Sequence, residues 1–553
     1  GIDTSWNRIA GGDQIANILM PLEQSFNFQE PSSHLPQLLE AYKYIRQLED
    51  THWRDVKTKE IKAIISACAG LYLEASANSP TASKKEQIDV TLEVINRSDA
   101  SISLISYNLT SLEQGVEKNM VLRPNEKLNF KEAITITNDL NYTTPYWLNK
   151  RQSLGMYNVD DQELRGLPET PRAVNVEFNL LINDTPITFK KPVVYRYSKP
   201  DEGELYRPFE ITPAVTASIS NKVIIFENDQ PKDIEVLVKA GRDKIEGFVK
   251  MAYPNDWSVY PNQQKINIKT KNEIQKLVFT VIPPKDQSEG YMTPMVNVDG
   301  EFFTDELVEI NYDHIPFQTV LLPSLSKVVR LNIKKQGANI GYIKGAGDAI
   351  PESLRQIGYT VTIIDPNSIS SSNLSEFDAI ITGIRAYNVV DDLKFKQKFL
   401  LDYVSNGGNL IIQYNTSRGL IMDELAPYDL NLSRDRVTDE NAEVRILDRD
   451  HPVLNHPNKI TEQDFEGWVQ ERGLYFPDSW ASEFTPLFSI NDPGESPKEG
   501  SLLVAKYGKG NYIYTGLSFF REFPAGVPGA YKLFANLLSL GKEQLQPTTK
   551  IMD

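Results

Sequence analysis

Apolar residues near the start of the chain recur at steps of three and four, which is the spacing of one face of an α-helix. One such stripe covers residues 35–48 and a second covers residues 61–72, while a shorter one at 15–26 is interrupted by Pro21. These stripes predict two or three packed helices within a helical segment at residues 1–80.

Beyond a polar stretch at residues 77–86, which is typical of a linker, the period of apolar positions changes to two. Alternation with polar residues predicts strands that bury one face. The alternating stretches are residues 88–94, 174–180, 234–238, 266–268 and 277–281. We therefore predict two antiparallel β-sandwiches in series, at residues 81–205 and 206–325, with a long irregular insertion at 141–171 in the first.

From about Asn339 the pattern changes again, to strand, glycine-rich turn, helix, glycine and strand. A third apolar run ends at Gly383, a helical stretch closes at Gly407 and Gly408, and the strand NLIIQ follows. Strands that alternate with helices are typical of a parallel sheet. Residues 335–545 are thus predicted to form a doubly wound, flavodoxin-like α/β domain.

Open parallel sheets bind ligands beyond the carboxyl ends of their strands. This rule predicts a crevice in the last domain. Its candidate ligand-binding residues are Lys344, Asp348, Arg385, Tyr387, Asn388, Gln413, Tyr414 and Asn415. The turn GAGDAI lacks the glycine spacing of a dinucleotide site, so the rule gives a location and no cofactor.

Two later stretches, residues 433–452 and 462–476, are rich in acids and bases. Runs of this kind are usually solvated surfaces. The further candidates within them are Arg436, Asp439, Glu440, His451, Glu466 and Arg472. If they converge with the crevice and with the later pair Arg521-Glu522, bidentate hydrogen bonds would hold a sugar or an anionic group, with Trp468 as a stacking face.

The stretch DRDHPVLNHP offers Asp450, His451 and His456 as an alternative set of metal ligands. Their spacing matches no standard zinc pattern, and each histidine precedes a proline, which favours an extended turn. We therefore expect a hydrogen-bonded loop here, no metal and no catalytic residue.

Composition narrows the classes of partner. The 553 residues carry a formal net charge of −16, which argues against nucleic acid as a partner, because such proteins cluster Lys and Arg on one face. No apolar run is long enough for a transmembrane segment. The single cysteine, Cys68, lies on a helical stripe and is predicted to be a buried, inert thiol.

The strand order and glycine positions of the last domain resemble those of the class I glutamine amidotransferase-like fold. In that family a nucleophilic cysteine stands on the turn after the strand matched by NLIIQ. Here Tyr414 and Asn415 occupy the turn, and the domain contains no cysteine. The resemblance therefore implies a site without its nucleophile.

A more specific likeness covers nearly the whole chain. Its motifs are ACAGLYLEA, TTPYWLN, LPETPRA, YRPFEI, IGYIKGAGDAIPESLRQIGY, GIRAYN, GGNLIIQYNTS, RVTDENAEV, DHPVLNHPNKIT, DFEGWVQERGLYF and GLSFFREFPAGVPGAYKLFANLLSL. Together they resemble the region that follows the catalytic domain in long PIG-L (LmbE-like) deacetylases of Bacteroidetes, which are zinc-dependent N-acetyl-sugar deacetylases.

That family's metal site begins with His-Pro-Asp-Asp-Glu. The His-Pro pairs here, His451-Pro452 and His456-Pro457, are followed by no carboxylate, so the resemblance implies zinc only in a separate deacetylase domain. It also implies an exported bacterial protein, periplasmic or at the cell surface, and the start at Gly1 suggests a processed chain or a fragment.

The leading interpretation is a non-catalytic accessory region that binds an amino sugar or glycan, or that positions the PIG-L catalytic domain. Two alternatives stay open. The last domain is a hydrolase that uses carboxylates such as Asp439, Glu440 or Glu466 as acid and base, or the whole chain is a structural spacer.

Overall fold

The computed structural model describes residues 4–110, 115–153 and 155–542. Strands predominate, and they form several separate sheets that follow a group of N-terminal helices. The prediction of a multidomain, β-rich chain with helices at its start is confirmed. Within the described ranges, no helix is both long and apolar enough to cross a bilayer.

The chain begins with three α-helices, α1 (Gly12–Gln24), α2 (Leu35–Ile45) and α3 (Thr51–Cys68). The carboxylate of Asp50 caps α3 by accepting the Trp53 N–H at 3.1 Å. The helices bury their apolar faces in the same core as the strands that follow. As predicted, Cys68 is buried.

The predicted helix at residues 61–72 is wrong at its end. Helix α3 stops at Cys68, and Leu71 and Tyr72 begin a strand. Gly70 lies between them with a φ of 56°, a left-handed conformation that ends a helix and that glycine adopts at little cost. Ile64, which belongs to the same stripe, is 47% exposed.

The first sandwich consists of a five-stranded and a four-stranded sheet, with orders β10-β9-β1-β3-β6 and β5-β4-β7-β8, and the short pair β2-β11 beside them. Its strands are β1 (Leu71–Ala77), β2 (Thr81–Ala82), β3 (Gln87–Asn96), β4 (Ile102–Leu109), β5 (Val116–Val121), β6 (Lys127–Thr135), β7 (Asn175–Ile182), β8 (Thr185–Pro192), β9 (Val194–Lys199), β10 (Gly203–Pro208) and β11 (Glu210–Ile211). The stretch 77–86, predicted as a linker, contributes β2, and the insertion 141–171 contains 3₁₀ turns.

The second sandwich packs a four-stranded sheet, β12-β14-β18-β16, on a six-stranded one, β13-β23-β19-β15-β17 with β20 beside β19, and β21 pairs with β22. Its strands are β12 (Val215–Ile219), β13 (Val223–Phe226), β14 (Lys232–Ala240), β15 (Ile245–Ala252), β16 (Ser258–Tyr260), β17 (Gln264–Ile268), β18 (Ile274–Ile282), β19 (Ser288–Val298), β20 (Glu301–Phe303), β21 (Asp305–Ile310), β22 (Gln318–Pro323) and β23 (Ser326–Arg330). Its core is separate from that of the first.

The last third of the chain alternates strands and helices. The helices are α4 (Ile350–Gln356), α5 (Ser371–Leu374), α6 (Ala386–Val389), α7 (Leu393–Ser405), α8 (Pro452–Asn455), α9 (Phe519–Glu522) and α10 (Pro528–Ser539). The strands are β24 (Asn339–Ile343), β25 (Thr360–Ile363), β26 (Ala379–Thr382), β27 (Asn409–Gln413), β28 (Leu430–Val437), β29 (Val444–Ile446), β30 (Gly473–Trp480), β31 (Phe484–Pro486), β32 (Phe488–Ile490), β33 (Leu502–Tyr507) and β34 (Gly510–Thr515).

Seven of these strands form one sheet in the order β25-β24-β26-β27-β34-β33-β31. The first five run parallel, and β33 and β31 continue the sheet antiparallel. Strand β24 is followed by β25 on one side and by β26 on the other, so strand order reverses between β24 and β26. This reversal is where an open parallel sheet leaves a crevice.

Candidate binding site at the strand ends

A carboxylate and two polar side chains meet where strand order reverses. The Tyr342 hydroxyl donates to Asp348 at 2.5 Å, and Asp348 also accepts the main-chain N–H groups of Ile350 and Ile384. Gln413 lies beneath and donates to the Thr382 carbonyl at 3.2 Å. Burial and the Asp348 charge raise the pKa of Tyr342, so this phenol stays protonated. These hydrogen bonds join the carboxyl ends of β24, β26 and β27.

The turn after β26 presents Arg385 in a left-handed conformation, with a φ of 58°. Its N–H donates to the Tyr414 carbonyl at 2.8 Å, which ties this turn to the one after β27. Gly345 allows the close approach of the neighbouring turn, since a Cβ there would lie 2.1 Å from the Ile384 oxygen. The Arg385 Nε is buried and has no hydrogen-bond partner in the described part of the chain.

The turn after β27 carries the amide Asn415 and contains no cysteine. Asn415 is fully buried; its Oδ1 accepts the Tyr387 N–H, and its Nδ2 donates to the Gln413 carbonyl, both at 2.9 Å. Asn388 holds the next residues by accepting the Thr416 N–H at 2.9 Å. Asn415, Tyr387 and Asn388 therefore fix the conformation of the turn after β27.

Three aromatic rings lie at this turn, and we call Tyr414, Tyr475 and Phe520 the aromatic platform. The rings of Tyr414 and Tyr475 stack with centroids 6.1 Å apart, and Phe520 lies 5.2 Å from Tyr414. Tyr414 is 8% exposed, whereas Tyr475 and Phe520 are half-buried and reach the surface. Tyr475 and Phe520 thus leave part of the aromatic platform at the surface.

Cations surround the aromatic platform. Arg436 lies over the Tyr475 ring at 5.8 Å, and Arg521 over the Phe520 ring at 4.9 Å. Burial raises the pKa of Tyr414, while the charges of Arg385 and Arg521 oppose that rise, so both guanidinium groups act on this phenol. Arg385, Arg436 and Tyr414 are therefore sequence candidates that the fold brings to one place.

A buried carboxyl lies under the same region. Glu522 is fully buried, accepts the Val469 N–H at 2.9 Å and the Ser518 hydroxyl at 3.2 Å. Burial raises its pKa to about 8, although these hydrogen bonds and the charge of Arg472 oppose the rise. Sequence reasoning placed Glu522 only in a charged run. Its spacing of four from Ser518, just after a strand, was the available signal.

Arg472 and Glu440 stabilise loops beneath the platform. The buried Arg472 guanidinium donates to the carbonyls of Ala442 and Phe465, and Glu440 accepts the Gln470 N–H. The sequence predicts that Arg472 contacts a ligand at the strand ends. The structure does not provide this contact, because the guanidinium donates to main-chain carbonyls.

Four other sequence candidates lie away from the aromatic platform or serve their own loops. Lys344 and Glu466 are exposed, and Asp439 accepts the Asn441 N–H at 2.8 Å within its own turn. His451 accepts the Val453 N–H at 3.2 Å and so caps α8, and burial lowers its pKa.

Trp468 does not provide the predicted stacking face. It is 3% exposed and packs against Phe465 and Phe519 in the core, with ring centroids 5.2 Å and 5.9 Å away. Its indole N–H donates to the Asp464 carbonyl at 3.0 Å.

The zinc of PIG-L deacetylases does not fit these residues. Within the described ranges, no group of three or more His, Cys, Asp or Glu side chains is placed to hold a metal ion. His451 uses its Nδ1 as a helix cap.

No protein-family model and no curated protein matches the chain. The exo-β-1,4-mannosidase Op5Man5 from Opitutaceae bacterium strain TAV5 is 15% identical over 37% of this chain and 35% of its own, with a TM-score of 0.23. A protein of unknown function from Porphyromonas gingivalis W83 is 9% identical over 47% of this chain and 98% of its own, with a TM-score of 0.12. The chain spans about a third of the mannosidase's length, and similarities this low carry no argument about function.

Proposed function

We propose that this chain is a non-catalytic accessory region of a PIG-L family N-acetyl-sugar deacetylase. In this proposal its last third is a doubly wound, amidotransferase-like domain that binds a glycan, or that positions a separate zinc deacetylase domain on one. The observation that carries it is the turn after β27, where Tyr414 and the hydrogen-bonded Asn415 stand in place of a nucleophile.

Glycan binding suits the groups that surround this turn. The apolar C–H faces of a sugar stack on aromatic rings, and Tyr475 and Phe520 reach the surface side by side with Tyr414. Arg385 as a whole is half-buried, and its guanidinium group carries the donors that suit a hydroxyl or an N-acetyl carbonyl. The platform would hold the ring and the arginine would fix its orientation.

Replacing Arg385 with glutamine is expected to weaken glycan binding about tenfold, because one charge-assisted donor set is lost. Calorimetry of the full chain with an N-acetylglucosamine tetrasaccharide, and with the same oligomer after deacetylation, measures the affinity. Phe520→Ala should weaken it as well.

Arg123→Gln is the matched control, since Arg123 is exposed on the first sandwich and pairs with Glu126 at 3.9 Å. Binding that survives Arg385→Gln and Phe520→Ala would reject the platform as the site. If a glycan array and a separately purified PIG-L catalytic domain both show no binding, the accessory role itself is rejected.

The carboxylate-dependent hydrolase is the second candidate, and Glu522 favours it. A carboxyl whose pKa lies at about 8 stays protonated at neutral pH, as a general acid must. Its full burial speaks against contact with substrate. Unchanged turnover of every glycoside and ester tested after Glu440→Gln, Glu466→Gln and Glu522→Gln would remove this candidate.

A further inference from the structure

A basic cavity lies in the N-terminal region, far along the sequence from the strand-end crevice. It has a volume of about 1110 Å³ and lies between helices α2 and α3 and strand β8. Six cationic side chains line it. They are Arg46, Arg54, Lys59, Lys62, Lys190 and Lys191.

Helix α3 supplies one wall because of its residue spacing. Lys59, Lys62 and Ser66 recur at steps of three and four and so share a face. Ala63 and Ala67 lie on the same face and are exposed, and their small side chains leave room above the helix. The groove between α3 and β8 is therefore open at the place where the cations meet.

The charges in this cavity are largely uncompensated. Asp55 is the one carboxylate among the described lining residues, and it lies 3.8 Å from Arg54. The other five cations form no salt bridge with any carboxylate in the described ranges. A concentration of positive charge is unexpected in a chain with a net charge of −16, and it attracts anions selectively to this place.

Two lining groups, Thr58 and Lys62, lack a hydrogen-bond or ion-pair partner within the described ranges. The Thr58 Oγ1 is itself buried. Burial and the nearby Arg46 charge lower the pKa of Lys62, and the Glu177 carboxylate only partly opposes this. The Lys62 ammonium lies 5.6 Å from the centre of the buried Phe189 ring, which with Leu71 forms an apolar part of the lining.

We infer that this cavity binds a short acidic oligosaccharide, one that carries several carboxylate or sulfate groups. Its cations would pair with the acidic groups, Ser66 would meet a hydroxyl group, and the apolar side chains of Ala63, Ala67 and Leu71 would accept the C–H face of a sugar ring. The site is distinct from the aromatic platform, so it does not depend on the function proposed above.

Nucleic acid is the less suitable occupant. Sites for single strands combine an extended basic groove with exposed aromatic rings on which bases stack. Here the cations are confined to one cavity, and the lining aromatic side chain, Phe189, is 6% exposed. The test must therefore distinguish binding of a saccharide from binding of an oligonucleotide.

The test uses calorimetry of the full chain with five probes. These are a sulfated tetrasaccharide, a galacturonate tetrasaccharide, a neutral N-acetylglucosamine tetrasaccharide, inorganic tripolyphosphate and a single-stranded oligonucleotide of similar charge. The double variant Lys59→Gln/Lys190→Gln should bind the best acidic saccharide about tenfold more weakly or worse. Lys394→Gln/Lys398→Gln, which changes the net charge equally on exposed positions of α7, should leave its affinity unchanged.

Binding of a sulfated or uronate saccharide that weakens in the cavity variant alone supports the inference. Equal weakening in both double variants would mean that overall charge causes the effect. It would overturn the inference. It is also overturned if no acidic saccharide binds, if the neutral saccharide binds as tightly and the cavity variant weakens that binding, or if tripolyphosphate or an oligonucleotide of similar charge binds more tightly. Both double variants are at polar, mostly exposed positions, and unchanged circular dichroism checks that they fold.

Discussion

Replacing Asn536 with leucine is expected to lower the free energy of opening of the last domain by about 4 kcal/mol, because several buried polar groups lose their partners at once. The Asn536 Nδ2 donates to the carbonyls of Val453 and Asn458, both at 2.7 Å. Its Oδ1 accepts the Asn458 N–H at 3.0 Å and the Asn458 side-chain amide at 2.9 Å. All four bonds cross from α10 to the segment that carries the two His-Pro pairs.

Asn458 extends this network into the connection between the second sandwich and the last sheet. Its Oδ1 accepts the Lys334 N–H and its Nδ2 donates to the Lys334 carbonyl, both at 2.8 Å. Since Asn536 and Asn458 share bonds, their effects should not add. The double variant Asn536→Leu/Asn458→Ala should cost clearly less than the sum of the two single changes.

Hydrogen exchange of the α10 amide groups measures this opening free energy without requiring the whole chain to unfold in one step. Asn406→Leu is the matched control, because Asn406 is exposed at the end of α7 and donates a side-chain bond only to Asp402. A change below about 1 kcal/mol for Asn536→Leu would mean that the network contributes little net stability.

The network also shows what the sequence did and did not reveal about DHPVLNHPNKIT. The histidines of this motif suggest metal ligands, and their spacing favours a hydrogen-bonded loop instead. In the structure its central residue is Asn458, buried between α10 and Lys334. A buried asparagine cannot be distinguished from an exposed one by composition, because its partners come from segments over 70 residues away.

Helices and strands are predicted reliably where the apolar repeat extends over many residues. Errors occur where only a few residues carry it. Residues 71–72 continued the helical stripe of α3, but β1 is fixed by pairing with β3 and with β9, far along the chain. Over so few residues the two periods cannot be told apart, so long-range pairing decided the structure.

The strand-end rule located Arg385, Tyr414 and Asn415 because parallel strands end at one edge of a sheet. It did not locate Tyr475 or Phe520, which arrive from β30 and from α9. Nor could it decide orientation: Trp468 and Arg472 are near in sequence to these groups, yet both point into the core. A charged or aromatic residue in the sequence predicts a binding surface only where the neighbouring segments leave its side chain exposed.

Glu522 is expected to make the stability of the last domain fall as pH rises. Its pKa is about 8 in the folded chain and 4.5 in an unperturbed glutamate, so between these values the folded state holds a proton that the unfolded state has lost. Folding stability therefore decreases with rising pH in this window. The stabilisation by the protonated Glu522 carboxyl is fully present only below pH 4.5. From pH 6 to pH 8 the expected loss is about 2 kcal/mol.

Glu522→Gln should abolish this loss, since glutamine keeps an oxygen for the Val469 N–H and cannot ionise. The difference between the parent chain and the variant, measured by hydrogen exchange of α10 at pH 6 and at pH 8, isolates Glu522. Other groups such as His451, whose pKa burial lowers, contribute equally to both proteins and cancel. Glu466→Gln, at an exposed position, should retain the parent's pH dependence. Equal slopes for the parent and Glu522→Gln would show that Glu522 is ionised in the folded chain, and a carboxylate held charged there would be an acceptor for the surrounding N–H and O–H groups and no proton donor.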